Sequence, residues 1–379
     1  MSTKKKIIFV ISEYSFFLSH RKKLIEYLCE NYEITIITDL SRFSNSTHNF
    51  NELYKLEHLP KNKNLLNPFK FFMALKRIRY LINLYDPRYI FYVSLENCVI
   101  GSILYRFIKV KKSFFLVTGI GTFLEITSIK KFFVKLIFSS ILSLGIHKNK
   151  TAFVFQNNND YKDIKRSLFG RIQNNSIIPG SGIDLSNFYF KQREITNQHS
   201  KIKILFASRL LKEKGVMEYF LAAKELKNEY KEIEFYMAGP YDPDNSLSIR
   251  KKDFEKIKSS NFINYLGDVN NKEMSDLYLD YDIFALPSYR EGLPAAALEA
   301  AASGMPLILT DVPGCRECLN NNKNGLLIAP KSVLSLKNAI ISIHKNRDLI
   351  SNQSLESRLF IERNFSINKI GASYIKLMT

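Results

Sequence analysis

One segment constrains this chain more than any other: an apolar strand that runs into a Pro/Gly turn and then into an alanine-rich helix. The strand is predicted at residues 282–286, and the helix begins after Pro294. Two carboxylates, Glu291 and Glu299, stand eight residues apart, the first in the loop and the second along the helix. Open α/β sheets bind ligands at the carboxyl ends of their strands, so we expect both carboxylates to border one ligand site.

Strand and helix patterns alternate along the whole chain, which favours parallel sheets. Strands are predicted at residues 6–11, 34–38, 89–94, 113–117, 152–156 and 176–178, and then at 203–207, 234–238, 263–266, 282–286, 306–309 and 326–328. The helices between them include one near residues 20–30, with Ser19 as its N-cap, and one near 245–259. With 379 residues the chain can form two domains with full cores. A polar stretch at residues 186–200 interrupts the pattern and predicts their junction.

The charge is distributed unevenly between the two halves. Residues 1–200 contain 30 Lys+Arg and 14 Asp+Glu, a net charge of +16, whereas residues 201–379 contain 25 and 22, a net charge of +3. A basic half beside a nearly neutral half predicts that one domain faces an anionic partner. Nucleic acid, an anionic lipid surface and a pyrophosphate-bearing acceptor all fit this sign.

The sequence argues against export and against a transmembrane segment. The apolar run at residues 7–11 is too short for a signal peptide and is interpreted as a buried first strand. The most lipid-like stretch, residues 132–146, falls short of the roughly 20 apolar residues that a spanning helix needs. Cys315 and Cys318 form a C-x-x-C pair without two further zinc ligands, so we expect reduced thiols in the cytoplasm, with a redox or metal pair as the alternative.

The segment around the two glutamates resembles the nucleotide-sugar site of the retaining, family-four glycosyltransferases of GT-B fold. Their signature is two glutamates separated by seven residues, with Glu-Gly at the first, as in Glu291-Gly292 here. The alternative is a buried loop–helix junction with surface glutamates. The resemblance implies an α/β GT-B architecture, with two Rossmann-like doubly wound domains facing a central cleft. Residues 1–190 would bind the acceptor, residues 200–364 the nucleotide sugar, and residues 365–379 would form a helix that crosses back onto the first domain.

The same resemblance assigns roles to the donor side. Arg209 and Lys214, five residues apart on a strand–helix turn, would grip the donor diphosphate; alone they would equally fit a solvated basic turn. Glu291 would bind the donor sugar beside its leaving phosphate, and Glu299 would accept hydrogen bonds from the ribose hydroxyls.

Backbone groups complete the predicted donor site. The amides of Gly292 and Leu293 could donate to phosphate or sugar, because glycine allows a close approach of the backbone. Leu266 and Gly267 end a strand at the place where members of the family contact the nucleotide base of the donor, largely through backbone atoms. An ordinary strand end explains these two residues equally well.

On the acceptor side, Phe17, His20 and Arg21 lie in a Phe-x-x-His-Arg segment that resembles the capsule and O-antigen branch of the family. The alternative is a helix start with surface charge. A second glycine-rich strand end contributes Thr118, Gly119 and Gly121. Many relatives place a histidine bonded to the donor sugar near this point, and because this chain has glycine there we assign no catalytic histidine.

Two helical patterns, at residues 68–79 and 130–150, mix basic and apolar side chains. Such helices can lie in a membrane interface with their cations at lipid phosphates, or they can present one buried and one solvated face. Together with the basic half, they predict peripheral contact with the cytoplasmic face of the inner membrane.

The resemblance therefore implies a retaining glycosyltransferase of capsule, O-antigen or lipopolysaccharide synthesis. It would move a hexose or an N-acetylhexosamine from a UDP-linked donor to a glycan on a polyprenyl diphosphate, without a metal or another cofactor. A GT-B epimerase or phosphorylase is the alternative. A nucleic-acid-binding protein should carry its basic and aromatic residues on one recognition element, and here they are dispersed, so we expect no nucleic-acid partner.

Overall fold

The computed structural model describes residues 4–41, 53–60, 68–119, 129–168, 170–194, 197, 200–270 and 272–379. The chain divides into two compact units, Met1–Gly182 with Ile367–Thr379, and Ile183–Ser366. Each unit is built around one parallel sheet, as the alternating pattern predicts.

The sheet of the first unit has seven strands in the order β3-β2-β1-β4-β5-β6-β7. These strands are β1 (Lys5–Glu13), β2 (Tyr32–Asp39), β3 (Tyr54–His58), β4 (Tyr89–Val93), β5 (Lys112–Val117), β6 (Thr151–Phe155) and β7 (Asn175–Ile177). The order changes direction between β1 and β4, since the chain leaves β1 toward β2 and later returns to the other side of β1. The prediction missed β3, a short edge strand whose sequence is polar at alternate positions.

Helices cover both faces of this sheet. They are α1 (Tyr14–Phe16), a π-helical turn (Phe17–Arg21), α2 (Lys22–Cys29), α3 (Pro68–Tyr85), α4 (Leu95–Leu104), α5 (Ile129–Leu144), α6 (Asn158–Ser167) and α13 (Ile367–Met378). Alternate strand residues enter two cores because side chains alternate across a strand. Ile8 and Tyr92 join the core under α3 to α6, whereas Phe9 and Phe91 join the core under α2 and α13.

The sheet of the second unit has six strands in the order β10-β9-β8-β11-β12-β13. They are β8 (Ile202–Ala207), β9 (Ile233–Ala238), β10 (Asn264–Gly267), β11 (Ile283–Leu286), β12 (Leu307–Thr310) and β13 (Gly325–Ile328). The surrounding helices are α7 (Val216–Leu226), α8 (Lys251–Lys258), α9 (Met274–Leu279), α10 (Ala295–Ala302), α11 (Val333–Lys345) and α12 (Asp348–Phe365). Here the order changes direction between β8 and β11.

The polar stretch at residues 186–200 is not the junction between the units. The division falls at Gly182, and the segment that follows packs within the second unit. Arg193 is buried there and donates to the carbonyl oxygens of Tyr281 (3.3 Å) and Tyr278 (2.5 Å). The predicted first domain, which ends at residue 190, therefore runs several residues too far.

Two predicted helix starts also differ from the structure. The helix predicted at residues 245–259 begins only at Lys251, since the Asp242 and Asn245 side chains accept from backbone amides two residues on and form turns. Ser19 is not an N-cap, because helical structure already begins at Tyr14 and the Ser19 hydroxyl donates to the Ser15 carbonyl (2.8 Å).

Candidate active site

The loops after β8 and β11 meet at the carboxyl edge of the second sheet. This is the point where the strand order changes direction, which is where open α/β sheets bind ligands. Gly215 adopts a left-handed conformation (φ +72°), and a Cβ atom there would lie 2.1 Å from the Pro287 carbonyl oxygen. The glycine thus allows the two loops to touch, and this contact brings their side chains together.

Lys214 and Glu291 form an ion pair at this edge. Lys214 Nζ lies 2.7 Å and 2.8 Å from the two oxygens of Glu291, and the side chains are 17% and 7% exposed. The Ser288 hydroxyl donates to the same carboxylate at 2.7 Å. The family resemblance assigns Lys214 to the diphosphate and Glu291 to the sugar. In this structure each holds the other, so a phosphate that binds Lys214 competes with Glu291.

Arg209 lies on the same β8 loop and is exposed. The Ser208 hydroxyl donates to the Arg209 carbonyl oxygen at 2.8 Å. The β8 loop thus carries a partly buried cation that is already paired and a second cation that is open to solvent, and both types of cation can stabilise a departing diphosphate.

A third loop, which follows β12, packs against the backbone of Glu291. The sequence analysis did not predict this contact. Gly314, after β12, has φ +87°, and a Cβ atom there would lie 2.5 Å from the Glu291 carbonyl oxygen and 2.7 Å from that of Gly292. The Gly314 amide donates to the Glu317 side chain at 2.6 Å. A glycine at this position is the signal that could have identified the contact, since it allows two backbones to approach closely.

Cys315 and Cys318 lie in this supporting loop, and both are buried free thiols. Burial raises the pKa of each thiol well above its usual value. Among the described residues, no three His, Cys, Asp or Glu side chains gather in a way that could hold a metal ion.

Glu299 is hydrogen-bonded by Tyr278, a residue that the sequence analysis did not identify. The Tyr278 hydroxyl, on α9, donates to Glu299 Oε2 at 3.0 Å. Burial raises the pKa of Glu299, and the hydrogen bond from Tyr278 acts in the opposite direction. Tyr278 itself is fully buried against Phe188 and Phe284, so it fixes the orientation of the carboxylate.

On the prediction that Glu299 binds the ribose of a UDP-linked donor, Tyr278→Phe should weaken UDP binding about fivefold, the value of one hydrogen bond. The substitution removes the interaction that lowers the Glu299 pKa, so the pKa rises, and the pH below which affinity falls should move upward. Calorimetric titration of UDP between pH 5 and pH 8 checks both effects. Tyr230→Phe, at a partly buried tyrosine of the same unit, is the control. An unchanged pH profile in Tyr278→Phe would contradict a positioning role.

The remaining donor-side residues lie at the same edge of the sheet. Gly267 ends β10 in a left-handed conformation (φ +81°), and its carbonyl oxygen accepts from the Gly239 amide at 2.7 Å. Leu266 is exposed, whereas Leu293 packs against the core of the second unit. The positions of Leu266 and Gly267 are compatible with backbone contacts to the nucleotide base of the donor. These contacts stay a prediction.

Two of the predicted acceptor residues are buried. Phe17 packs edge-on against Tyr54, and Arg21 donates to the Tyr374 hydroxyl at 3.0 Å. Their side chains are therefore part of the core rather than of an open acceptor loop, because α2 packs against α13. His20 is exposed and stacks on Phe16.

The second predicted acceptor segment follows β5. Thr118 and Gly119 are partly exposed at the carboxyl edge of the first sheet, and Gly119 has φ +124°. Gly121 lies outside the described residues. This edge therefore offers Thr118 and Gly119 to a ligand, together with His20 from the segment after β1.

A basic cavity of about 700 Å³ opens at the opposite, amino edge of the first sheet. Its charged lining residues are Lys4, Lys5, Asp86, Arg88, Lys109, Lys111 and Lys150. None of the predicted site residues lines it. Within the described part of the chain, no helix is both long and apolar enough to cross a bilayer.

Comparison with known proteins identifies a family for most of the second unit. Residues 188–358, which carry Arg209, Lys214, Glu291 and Glu299, match the family described as "Glycosyl transferases group 1". The chain carries a glycosyltransferase group 1 domain. The predicted glycosyltransferase domain is thereby confirmed for these residues, and both loops of the candidate site lie within it.

A curated relative extends the likeness beyond the group 1 domain. The N,N'-diacetylbacillosaminyl-diphospho-undecaprenol alpha-1,3-N-acetylgalactosaminyltransferase of Campylobacter jejuni is 27% identical over an alignment of 327 residues, and the match covers 82% of each chain. Its name describes the transfer of N-acetylgalactosamine to a lipid-diphosphate-linked sugar.

Solved structures confirm the GT-B fold around the group 1 domain. Sucrose-phosphate synthase from Thermosynechococcus elongatus superposes with a TM-score of 0.80 at 15% identity, covering 99% of this chain and 98% of that one. Anabaena HepE in complex with UDP superposes with a TM-score of 0.75 at 13% identity, covering 99% of both chains.

Proposed function

We propose that this glycosyltransferase moves an N-acetylhexosamine from a UDP-linked donor to a glycan carried on a polyprenyl diphosphate. The observation that carries the proposal is the partly buried Lys214–Glu291 pair at the carboxyl edge of the second sheet, with Glu299 eight residues after Glu291, inside the group 1 domain. The Campylobacter jejuni relative supports the sugar and the acceptor class. The UDP complex of Anabaena HepE supports the nucleotide.

The proposed reaction retains the anomeric configuration. The bond between the anomeric carbon and the diphosphate oxygen breaks, and the acceptor oxygen bonds to the same face of that carbon. The acceptor proton passes to the departing phosphate, so no protein base is assigned. Lys214 moves from Glu291 to the diphosphate as negative charge develops there, Arg209 adds a second cation, and Glu291 is released to accept hydrogen bonds from the sugar hydroxyls.

This division of roles predicts activity without a divalent metal. Two side-chain cations would stabilise the negative charge of the diphosphate, a role that a metal ion has in other enzymes. We expect the initial rate of UDP release to stay within about twofold after dialysis against EDTA, and added Mg²⁺ or Mn²⁺ to have a similarly small effect. A rate that vanishes with EDTA and returns with one metal would contradict the assignment.

We also propose that the first unit rests on an anionic membrane surface. Phe69 on α3 is 71% exposed, and Phe72 and Met73 beside it are also exposed. Lys76 Nζ lies 4.7 Å from the centre of the Phe72 ring, so this face combines apolar side chains with a cation. On α5, Ile137 is 60% exposed. Aromatic anchors with adjacent cations are typical of interfacial helices.

The double variant Phe69→Ser/Phe72→Ser should bind vesicles that contain phosphatidylglycerol at least tenfold more weakly, because two exposed aromatic side chains no longer insert. Co-sedimentation at several vesicle concentrations measures the change. Tyr189→Ser, which removes an exposed aromatic residue from the second unit, is the matched control. Equal sedimentation of all three proteins would place the membrane contact elsewhere.

The experiment that tests the transfer itself is mass spectrometry of the acceptor. The protein is incubated with a polyprenyl-diphosphate-linked monosaccharide and with UDP-N-acetylgalactosamine, UDP-N-acetylglucosamine or UDP-glucose. The proposal expects one N-acetylhexosamine to be added from one of the first two donors. Addition of a hexose from UDP-glucose would correct the sugar, and a donor that is epimerised without transfer would replace the function.

A further inference from the structure

A pair of serine hydroxyls lies at the carboxyl edge of the first sheet, where its strand order changes direction. Ser12 lies near the end of β1, and Ser94 directly follows β4, the strand on the other side of the change. Their hydroxyl oxygens are 3.3 Å apart, and both residues are only partly buried. The second sheet carries the Lys214–Glu291 pair at the corresponding topological position.

Ser94 holds a backbone conformation that costs free energy. Its φ of 84° and ψ of 155° fall in a region that glycine occupies almost alone. Such residues persist only where their surroundings enforce them, and they concentrate at functional sites. Glycine would adopt this conformation without strain, so the serine costs stability and adds a hydroxyl group.

Asn97 enforces the conformation. It is 3% exposed in the first turn of α4, and its side-chain nitrogen lies 2.7 Å from the Val93 carbonyl oxygen, 3.0 Å from the Ser12 hydroxyl and 3.3 Å from the Val10 carbonyl oxygen. The Ser94 amide donates to the Leu116 carbonyl at 3.0 Å. These bonds tie β1, β4 and β5 together and fix both hydroxyls at the rim of the sheet.

We infer that Ser94, with Ser12, contacts a hydroxyl group of the acceptor saccharide, and that Asn97 positions the pair; this inference rests on the proposed function. A serine hydroxyl both donates and accepts, as does a sugar hydroxyl. Glu13 and Glu96 lie on the same edge and are partly buried. Carboxylates beside the pair disfavour a phosphate and favour a neutral ligand rich in donors, so the saccharide rather than the diphosphate of the acceptor fits this position.

Ser94→Gly separates a structural from a substrate role, because glycine relieves the strain and removes only the side chain. We expect the variant to melt at a higher temperature than the wild type, yet to show a five- to tenfold higher KM for the acceptor. Its affinity for UDP and its KM for the donor should be unchanged. Ser12→Ala should raise the acceptor KM without the gain in stability.

Ser373→Ala, which removes a hydroxyl that bonds within α13, is the control for the loss of a serine side chain. An acceptor KM in Ser94→Gly equal to that of the wild type would overturn the inference, while wild-type transfer would leave the proposed function intact. A wild-type protein that binds UDP but transfers no sugar to any lipid-linked acceptor would overturn the proposed function, and the inference with it.

Discussion

Arg209→Ala combined with Lys214→Ala is expected to lower kcat on the order of a thousandfold or more. Both cations would face the negative charge that develops on the departing diphosphate, and removing one preorganised charge-stabilising group commonly costs a hundredfold or more. The rate of UDP release under saturating donor and acceptor measures the effect. Lys212→Ala, in the same turn but bonded to the Ser246 carbonyl, is the matched control. A double variant that keeps a tenth of wild-type activity would show that other groups stabilise the negative charge on the departing diphosphate.

The same substitution also affects stability. Without Lys214, the Glu291 carboxylate stays almost fully buried without its cation, and we expect the free energy of unfolding to fall by about 2 kcal/mol. Denaturant titration separates this loss from the loss of catalysis. Lys214→Met with Glu291→Gln should regain most of the stability while remaining inactive, because neither side chain is then charged.

Glu299→Gln should weaken UDP binding ten- to a hundredfold. The carboxylate would accept hydrogen bonds from both ribose hydroxyls, and hydrogen bonds to a charged group contribute about 1.5–3 kcal/mol. Calorimetry with UDP and with its 2',3'-dideoxy analogue forms a double-mutant cycle. The wild type should prefer UDP strongly, and the variant should bind both nucleotides with similar, weak affinity. If the variant keeps the preference, Glu299 does not bind the ribose.

The parts of the site that the sequence predicts are those encoded within one β–α unit. The strand, the turn and the helix that carry Glu291 and Glu299 lie where the local pattern puts them, because each position is set by neighbours in sequence. The same holds for the β8 turn with Arg209 and Lys214. The alternation of strands and helices likewise predicts both sheets and the GT-B fold.

Contacts between segments that are distant in sequence could not be predicted from the sequence. Arg21 is buried by Tyr374, which is 353 residues further along the chain, so its local pattern resembles that of a surface cation. Tyr278 reaches Glu299 from a different helix, and Gly314 supports Glu291 from a different loop. The strain at Ser94 is enforced by three strands at once, and no property of the Ser-Leu-Glu-Asn sequence indicates it.

The central claim is that this chain transfers a sugar from a UDP-linked donor to a lipid-linked acceptor, and one measurement tests it most directly. UDP release and the mass of the acceptor are followed together, with UDP-N-acetylgalactosamine and a polyprenyl-diphosphate-linked sugar. Our account predicts one UDP released for each acceptor that gains an N-acetylhexosamine, with both signals lost in the Arg209→Ala/Lys214→Ala variant. UDP release without a gain in acceptor mass, or acceptor gain that persists in that variant, would contradict it.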